Sequence, residues 1–258
     1  MTAAPASPAP DDARRIEEFS LNASGAFQSL VYDGWLLGYR PGPTKRLRCV
    51  NPFYASSLPV AAKIAYCVQF YRNVGLPPLF RLLPFSQPPG LDRELDRAGW
   101  TRFEPTLVQT VEFALLQTLA VPAHTVEIVA VPEWVDATAA LLDVSDDNRP
   151  RLRERAQSYP LPQAGALARR EGEVVAGGLV KLESDAAGLF ALTTAPAMRG
   201  QGYGRAVVAA LLAEARRQGA RRAYLQVTAS NTAATTLYAH FGFATAYDYW
   251  YRGLTDLR

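Results

Sequence analysis

The chain has 258 residues, 49% of them hydrophobic, and a net charge of +3. That length buries a full core and suits one or two domains, and so weak a charge gives no ground for a nucleic-acid partner. Two cysteines (Cys49, Cys67) and two histidines (His124, His240), at no metal-ligand spacing, argue against a disulfide framework or a zinc site.

Residues 1–10 are rich in Ala, Pro and Ser and lack the apolar segment of a secretion signal, so a disordered tail is expected there. No apolar run is long enough to span a bilayer, so no membrane partner is expected. A soluble protein of the reducing cytoplasm is the expected setting. The spacing of apolar residues then predicts a helix over 16–27, a strand over 30–39 ending at Pro41-Gly42-Pro43, and a second strand over 45–50 before a turn at Asn51-Pro52. A helix is predicted over 59–74, with Ala61, Ile64, Ala65, Val68 and Tyr71 on one side and Gly75 as its stop. A strand over 79–83, a short helix over 91–98, Gly99-Trp100 and a strand over 107–113 complete the first half. A break is expected near residues 120–124.

The second half is predicted to hold a strand pair within 164–183 and a strand over 188–194 that Pro196 breaks. A long helix follows, with Ala206, Val207, Val208, Leu211, Leu212 and Ala215 recurring at helical spacing up to Gly219. A strand over 222–228, a short helix ending at Phe241 and a strand over 244–252 close the chain. Helix, strand, helix, Gly-aromatic and strand thus occur twice, with Ala98-Gly99-Trp100 answering Phe241-Gly242-Phe243.

Between the strand and the long helix stands Arg199-Gly200-Gln201-Gly202-Tyr203-Gly204. Glycines before a helix turn backbone amides towards an anion, and the helix dipole adds positive potential, so a phosphorylated ligand is expected. No Lys-Ser or Lys-Thr pair follows, as a P-loop requires. Val207 stands where a dinucleotide fingerprint needs its third glycine, and the next strand lacks an acidic residue for a ribose. What remains, Arg199 with Gly202 and Gly204, resembles the acyl-CoA-binding loop of the GNAT N-acetyltransferases. A second hallmark follows: Asn231 before a short helix, Leu237-Tyr238 within it, and Gly242-Phe243 opening a strand. Together the resemblance covers about residues 125–258.

The resemblance implies an α/β (α+β) fold of two tandem GNAT-like units, each a mixed, mostly antiparallel sheet flanked by helices. The expected division is a degenerate unit over 11–119 and an acetyltransferase unit over 120–258. Pro59-Val60 stands in the first half where the second has its loop. Arg46 to Pro52 looks similar to an Arg-rich strand ending in Asn-Pro found in first halves of such proteins; a strand of solvated arginines before a turn is the favoured reading. The implied chemistry is acetyl transfer from acetyl-CoA to a primary amine, with no metal. Arg199, Gly200, Gln201, Gly202, Tyr203, Gly204 and Arg205 would hold the pyrophosphate, and the backbone of Leu192, Thr193 and Thr194 would pair with the pantetheine amides.

Tyr238 is the implied general acid and a neighbour of the cofactor; Asn231 caps its helix and lies near the cofactor arm. No base is assigned: residues 189–194 hold no acid or histidine, and Glu183 and Asp185 read equally well as solvated turn residues. The acceptor pocket is expected from loops around 51–58 and 143–163, with Tyr54, Asp143, Asp146, Asp147, Arg151 and Tyr159. A pocket closed by both halves would fit a small amine, and an open groove a protein amine. The rival function is an acyl-CoA-binding sensor without turnover. A monomer or a homodimer is compatible with a tandem chain.

Overall fold

The structure is a computed structural model that describes residues 10–24, 28–42, 44–116, 124–142 and 144–254, with the backbone alone at Pro10, Asp11, Asp146 and Arg155. In chain order the elements are α1 (Pro10–Ala23), β1 (Ser29–Tyr32), β2 (Trp35–Gly38), β3 (Val50–Asn51), α2 (Val60–Asn73), β4 (Leu79–Leu82), α3 (Leu91–Arg97) and β5 (Thr101–Glu112). There follow β6 (Val126–Val129), α4 (Val131–Thr138), α5 (Arg149–Gln157), β7 (Gln163–Arg170), β8 (Glu173–Glu183), β9 (Ala186–Thr194), α6 (Tyr203–Arg217), β10 (Arg222–Thr228), α7 (Thr232–Ala239) and β11 (Ala244–Gly253).

Four expectations are revised. The first helix begins at Pro10, not at residue 16, because Pro10-Asp11-Asp12 suits a helix start; of the tail expected over 1–10, Pro10 is thus helical and 1–9 lie outside the described residues. The strand expected over 30–39 is a hairpin, β1 and β2, turned at Asp33 (φ 42°) and Gly34 (φ 82°), the Asp-Gly pair that a two-residue turn favours. The strand expected over 45–50 is a 3-10 turn, Lys45–Leu47, before the two-residue β3. Finally, β5 starts at Thr101 despite Pro105. Glu104 (φ 52°) and a register shift against β11 place the proline at a bulge, where no ladder hydrogen bond is lost. The break near 120–124 falls mostly outside the described residues, and β6, α4 and α5 had no counterpart in the sequence reading.

The eleven strands among the described residues form one sheet in the order β1-β2-β3-β4-β11-β5-β10-β9-β8-β7-β6. The two expected units therefore share a sheet by exchanging their last strands. β5, from the first half, lies between β10 and β11, and β11, from the second, lies between β4 and β5. Each half follows a similar pattern: antiparallel pairings (two in the first half, three in the second), one parallel pairing (β3 with β4, β9 with β10), then the strand received from the other half.

Strand alternation assigns the faces. Phe80 and Leu82 of β4 pack with α2 and α3, and Ala223 and Leu225 of β10 with α6 and α7. On the other face, Leu79, Tyr224, Tyr247, Tyr249 and Tyr251 meet Ile16 and Phe19 of α1, and α4 and α5 cover β7 and β8. Under α1, Glu17 and Arg81 form a fully buried ion pair at 2.7 Å; Tyr247 donates to Glu17 at 2.7 Å, and the Arg81 guanidinium lies 3.8 Å from the centre of the Tyr249 ring.

Candidate functional site

β9 and β10 are paired only from Ala186–Arg222 to Gly188–Tyr224. Beyond that point the two strands part, leaving a wedge in which Leu189 to Thr194 keep β8 on one side and have no β10 partner on the other. A register shift of β8 against β9 and the positive φ of Ala191 (49°) mark the bulge that bends β9 away. The apex needs a glycine. A Cβ on Gly188 would stand 2.5 Å from the Phe190 ring and 2.6 Å from the Tyr224 ring.

At the open end of the wedge the chain makes a 3-10 turn, Pro196–Met198, and enters α6 through Gly200 (φ 75°) and Gly202 (φ 89°), conformations that exclude most side chains. The first helical hydrogen bond is from Ala206 N–H to the Gly202 carbonyl, so the amides of Tyr203, Gly204 and Arg205 precede the ladder. A Cβ on Gly204 would stand 3.2 Å from Thr194 Oγ1 and 3.7 Å from Leu237, so the end of β9, the start of α6 and α7 converge here. Arg199 and Arg205 are exposed, and Arg199 Nε reaches back to the Thr194 carbonyl at 3.4 Å. Gln201 donates to the Ala197 carbonyl at 3.0 Å, and its Oε1 lies 3.5 Å from Arg170 Nη1. The arrangement is a nest of backbone amides with three arginines around it.

Tyr203 is turned inwards, so only its backbone serves the nest; its ring stacks on His124 at 3.9 Å. His124 Nε2 donates to the Gln201 carbonyl at 2.7 Å, which holds that peptide with its oxygen away from the nest. The sequence reading gave His124 and Arg170 no role. Neither stands next to the loop in sequence, and only the pairing of β6, β7 and β8 brings them there.

Asn231 caps α7, accepting from Ala234 N–H at 3.1 Å. Tyr238 is buried with its ring edge-on to Phe243 at 6.0 Å, and burial pushes its phenol up to about 12. His240 is exposed beyond the helix end. Glu183 accepts from Asn22 Nδ2 at 2.9 Å, and Asp185 pairs with Arg222 at 3.4 Å; both stand in the β8–β9 turn, at the far end of β9 from the nest.

The corresponding place in the first half is occupied from within. The Asp33 carboxylate accepts from the backbone of Ser57 at 3.0 Å and of Leu58 at 2.9 Å, just before α2, and pairs with buried Lys63 at 3.2 Å. The two amides hold the Asp33 carboxyl well below the usual carboxylate range. A protein carboxylate thus takes the amides that an anionic ligand would need.

Of the expected pocket residues, Tyr54 and Tyr159 line one cavity of about 580 Å³ between α1, the β1–β2 hairpin and the loops after β3 and α5. Asp147 and Arg151 are exposed and stand apart from it; Asp143 and the Asp146 side chain lie outside the described residues. Among the described residues no cluster of His, Cys, Asp and Glu could hold a metal ion, and no helix is long and apolar enough to cross a membrane.

The comparisons agree with this geometry. A family model described as the acetyltransferase (GNAT) family matches residues 132–243. An uncharacterized N-acetyltransferase, YobR, of Bacillus subtilis is 26% identical over 246 residues, covering 94% of this chain and 98% of its own. Among solved structures, a GCN5-related N-acetyltransferase from Kribbella flavida superposes with a TM-score of 0.68 at 20% identity, over 94% of this chain and 95% of that one. A tandem GNAT protein from the clavulanic acid biosynthesis pathway superposes with a TM-score of 0.62 at 15% identity, over 74% and 68%. The stretch that carries the glycine turn, the wedge and the capped α7 is thus the one that matches the GNAT acetyltransferase family, residues 132–243.

Proposed function

We propose that the protein is an acetyl-CoA-dependent N-acetyltransferase that acetylates a primary amine by direct attack. The observation that carries this reading is the wedge between β9 and β10 opening onto the nest at the start of α6. An anion held by the nest and an amide-bearing arm laid along the open, β10-facing edge of β9 account for both features. When bound, acetyl-CoA supplies the acyl group: the amine nitrogen bonds to the acetyl carbonyl carbon, the carbon–sulfur bond breaks, the amine gives up a proton and the sulfur takes one.

The chain's own groups divide the remaining work. The amides from Gln201 to Arg205, with Arg199, Arg205 and Arg170, neutralise phosphate charge, and the backbone of Leu192 to Thr194 orients the arm. Tyr238, fully protonated at neutral pH, donates to the departing sulfur. Cys49 and Cys67 are buried in the first half with thiols pushed up to about 12, which suits direct attack without an acyl-enzyme. The division into units over 11–119 and 120–258 belongs to this proposal, with Asp33 as the support for a first half that holds no donor. Two free thiols suit a reducing cytoplasm, with the chain a monomer or a homodimer.

The test is thiol release from acetyl-CoA by the purified protein with pooled amines. Release above the no-amine rate, lowered about tenfold or more in Tyr238→Phe, is the expected result. Bound acetyl-CoA with no release in any pool would replace this reading with that of an acyl-CoA sensor.

A further inference from the structure

The cavity of about 580 Å³ is lined from both halves, by residues 18–54 of the first and 159–161 of the second. Tyr159, in its wall, donates to the Leu182 carbonyl at 2.6 Å; Leu182 pairs with Ala187 of β9, one residue before the Gly188 apex. Phe190, two residues beyond the apex, packs with the residues under α1 and with those of α5, the two helices that bound the cavity. The cavity therefore lies against the closed end of the wedge, on the face of the sheet covered by α1.

Its walls carry one kind of chemistry. Leu21, Val31, Trp35, Phe53, Tyr159 and Leu161 present apolar and aromatic surface. The polar tips of the large side chains are already engaged: Trp35 Nε1 donates to the Gln87 carbonyl at 2.8 Å, Tyr159 to Leu182, and Tyr54 to Glu18 Oε1 at 2.9 Å. A sugar or a polyamine would find few partners there and would bury unsatisfied polar groups at a cost. At the rim, Val31 is 75% exposed, Tyr54 50% and Leu161 39%, apolar surface that an apolar ligand would cover.

Among the described residues of the wall, Glu18 is the only one with a formal charge. It spends one oxygen on Tyr54, a neutral partner, so its charge is not cancelled within the wall. Arg14, one turn earlier on α1, lies close enough to Tyr54 to act on its phenol, and Glu183 stands at the opposite edge on Asn22. The edge of the cavity thus carries two carboxylates against one guanidinium.

We propose that this cavity is the acceptor pocket and that the acceptor is a small primary amine with an apolar or aromatic body, its ammonium held at Glu18 before transfer. The proposal rests on the N-acetyltransferase reading above. It deepens that reading by excluding the polar amines, polyamines and aminosugars, as the main substrates. The proton that the ammonium loses passes to solvent, since no base is assigned.

The experiment uses the full chain and two readouts. The first is binding of 2-phenylethylamine, followed by calorimetry in the presence of CoA, which needs no turnover. The second is thiol release from acetyl-CoA with 2-phenylethylamine, spermidine, glucosamine and a lysine peptide. The expected kcat/KM for 2-phenylethylamine exceeds the others by about tenfold or more. Glu18→Gln raises its KM about tenfold with little change in kcat, and Leu161→Trp, a substitution at the exposed rim that fills the cavity, weakens its binding by a similar factor. Both variants keep the wild-type acetyl-CoA affinity, which controls for folding. Absence of 2-phenylethylamine binding, or faster transfer to spermidine, glucosamine or the peptide, overturns the pocket assignment. Binding lost in Leu161→Trp but with no turnover of any amine supports the pocket and overturns the transferase reading alone.

Discussion

As the proposed acid, Tyr238 would face two demands, to stay protonated and to lie near the departing sulfur. Burial meets the first, since a phenol pushed up to about 12 remains neutral throughout the physiological range. An acid works only below its pKa, so an alkaline fall in kcat due to Tyr238 is expected only near pH 11 and above. A pH–rate profile that turns down at pH 9 with a stable amine would assign the acid elsewhere. Asp33 poses a stability question instead. Its lowered pKa means that its stabilising contribution is present above the unfolded value of about 3.9 and fades as pH falls through the folded value. Asp33→Asn is expected to lower Tm at pH 7 and to flatten the acid side of the stability profile below pH 4. It is also expected to leave acetyl-CoA binding at one per chain, because Pro59 and Val60 still replace the glycines; two bound per chain would refute the comparison between the halves.

Among the elements, α6 and β9 carry the proposed site, and their glycines act in different ways. Gly202 needs its positive φ, so Gly202→Val distorts the nest and is expected to weaken acetyl-CoA binding about a hundredfold while the core of α6 stays packed. Gly188 needs space, not freedom of φ. Gly188→Ala drives a methyl into Phe190 and Tyr224 at the apex and is expected to cost about 1–3 kcal/mol, measured by chemical denaturation. Equal loss of stability in both variants would show that the nest is a packing feature. His124 works at this scale too, since it joins the start of β6 to the loop before α6.

Strand exchange dominates the whole molecule. Without the first half, β11 loses both its neighbours and β10 keeps only its short pairing with β9; without β11, β4 loses one of its two neighbours. One cooperative unfolding transition is therefore expected, and a fragment over 124–258 alone is expected to aggregate or to remain unfolded, as circular dichroism would record. A soluble, cooperatively folded fragment would contradict this. The buried pair under α1 ties the same centre together. Glu17→Ala leaves Arg81 charged and uncompensated and is expected to cost about 3–5 kcal/mol.

Much of this was legible in the chain itself, because local chemistry dictated it. The glycines at 200, 202 and 204 specify a backbone that few other residues adopt, Asn231 specifies a cap, and the apolar spacing of 206–215 specifies a buried helix face. Each lies within a few residues of its effect, so the nest and α7 stood where the sequence reading placed them. The turn at Asp33-Gly34 was equally local and was passed over in favour of one long strand. What only the tertiary structure decided depends on contacts across the chain. Asp33 reaches amides 24 and 25 residues away, and Tyr247 meets Glu17 across 230. The exchange of β5 and β11 follows from which edge each strand finds, and the cavity exists only where α1, the hairpin and the loop after α5 meet. A sequence states what each segment prefers; long-range pairing, which no local preference encodes, decides which segments face one another.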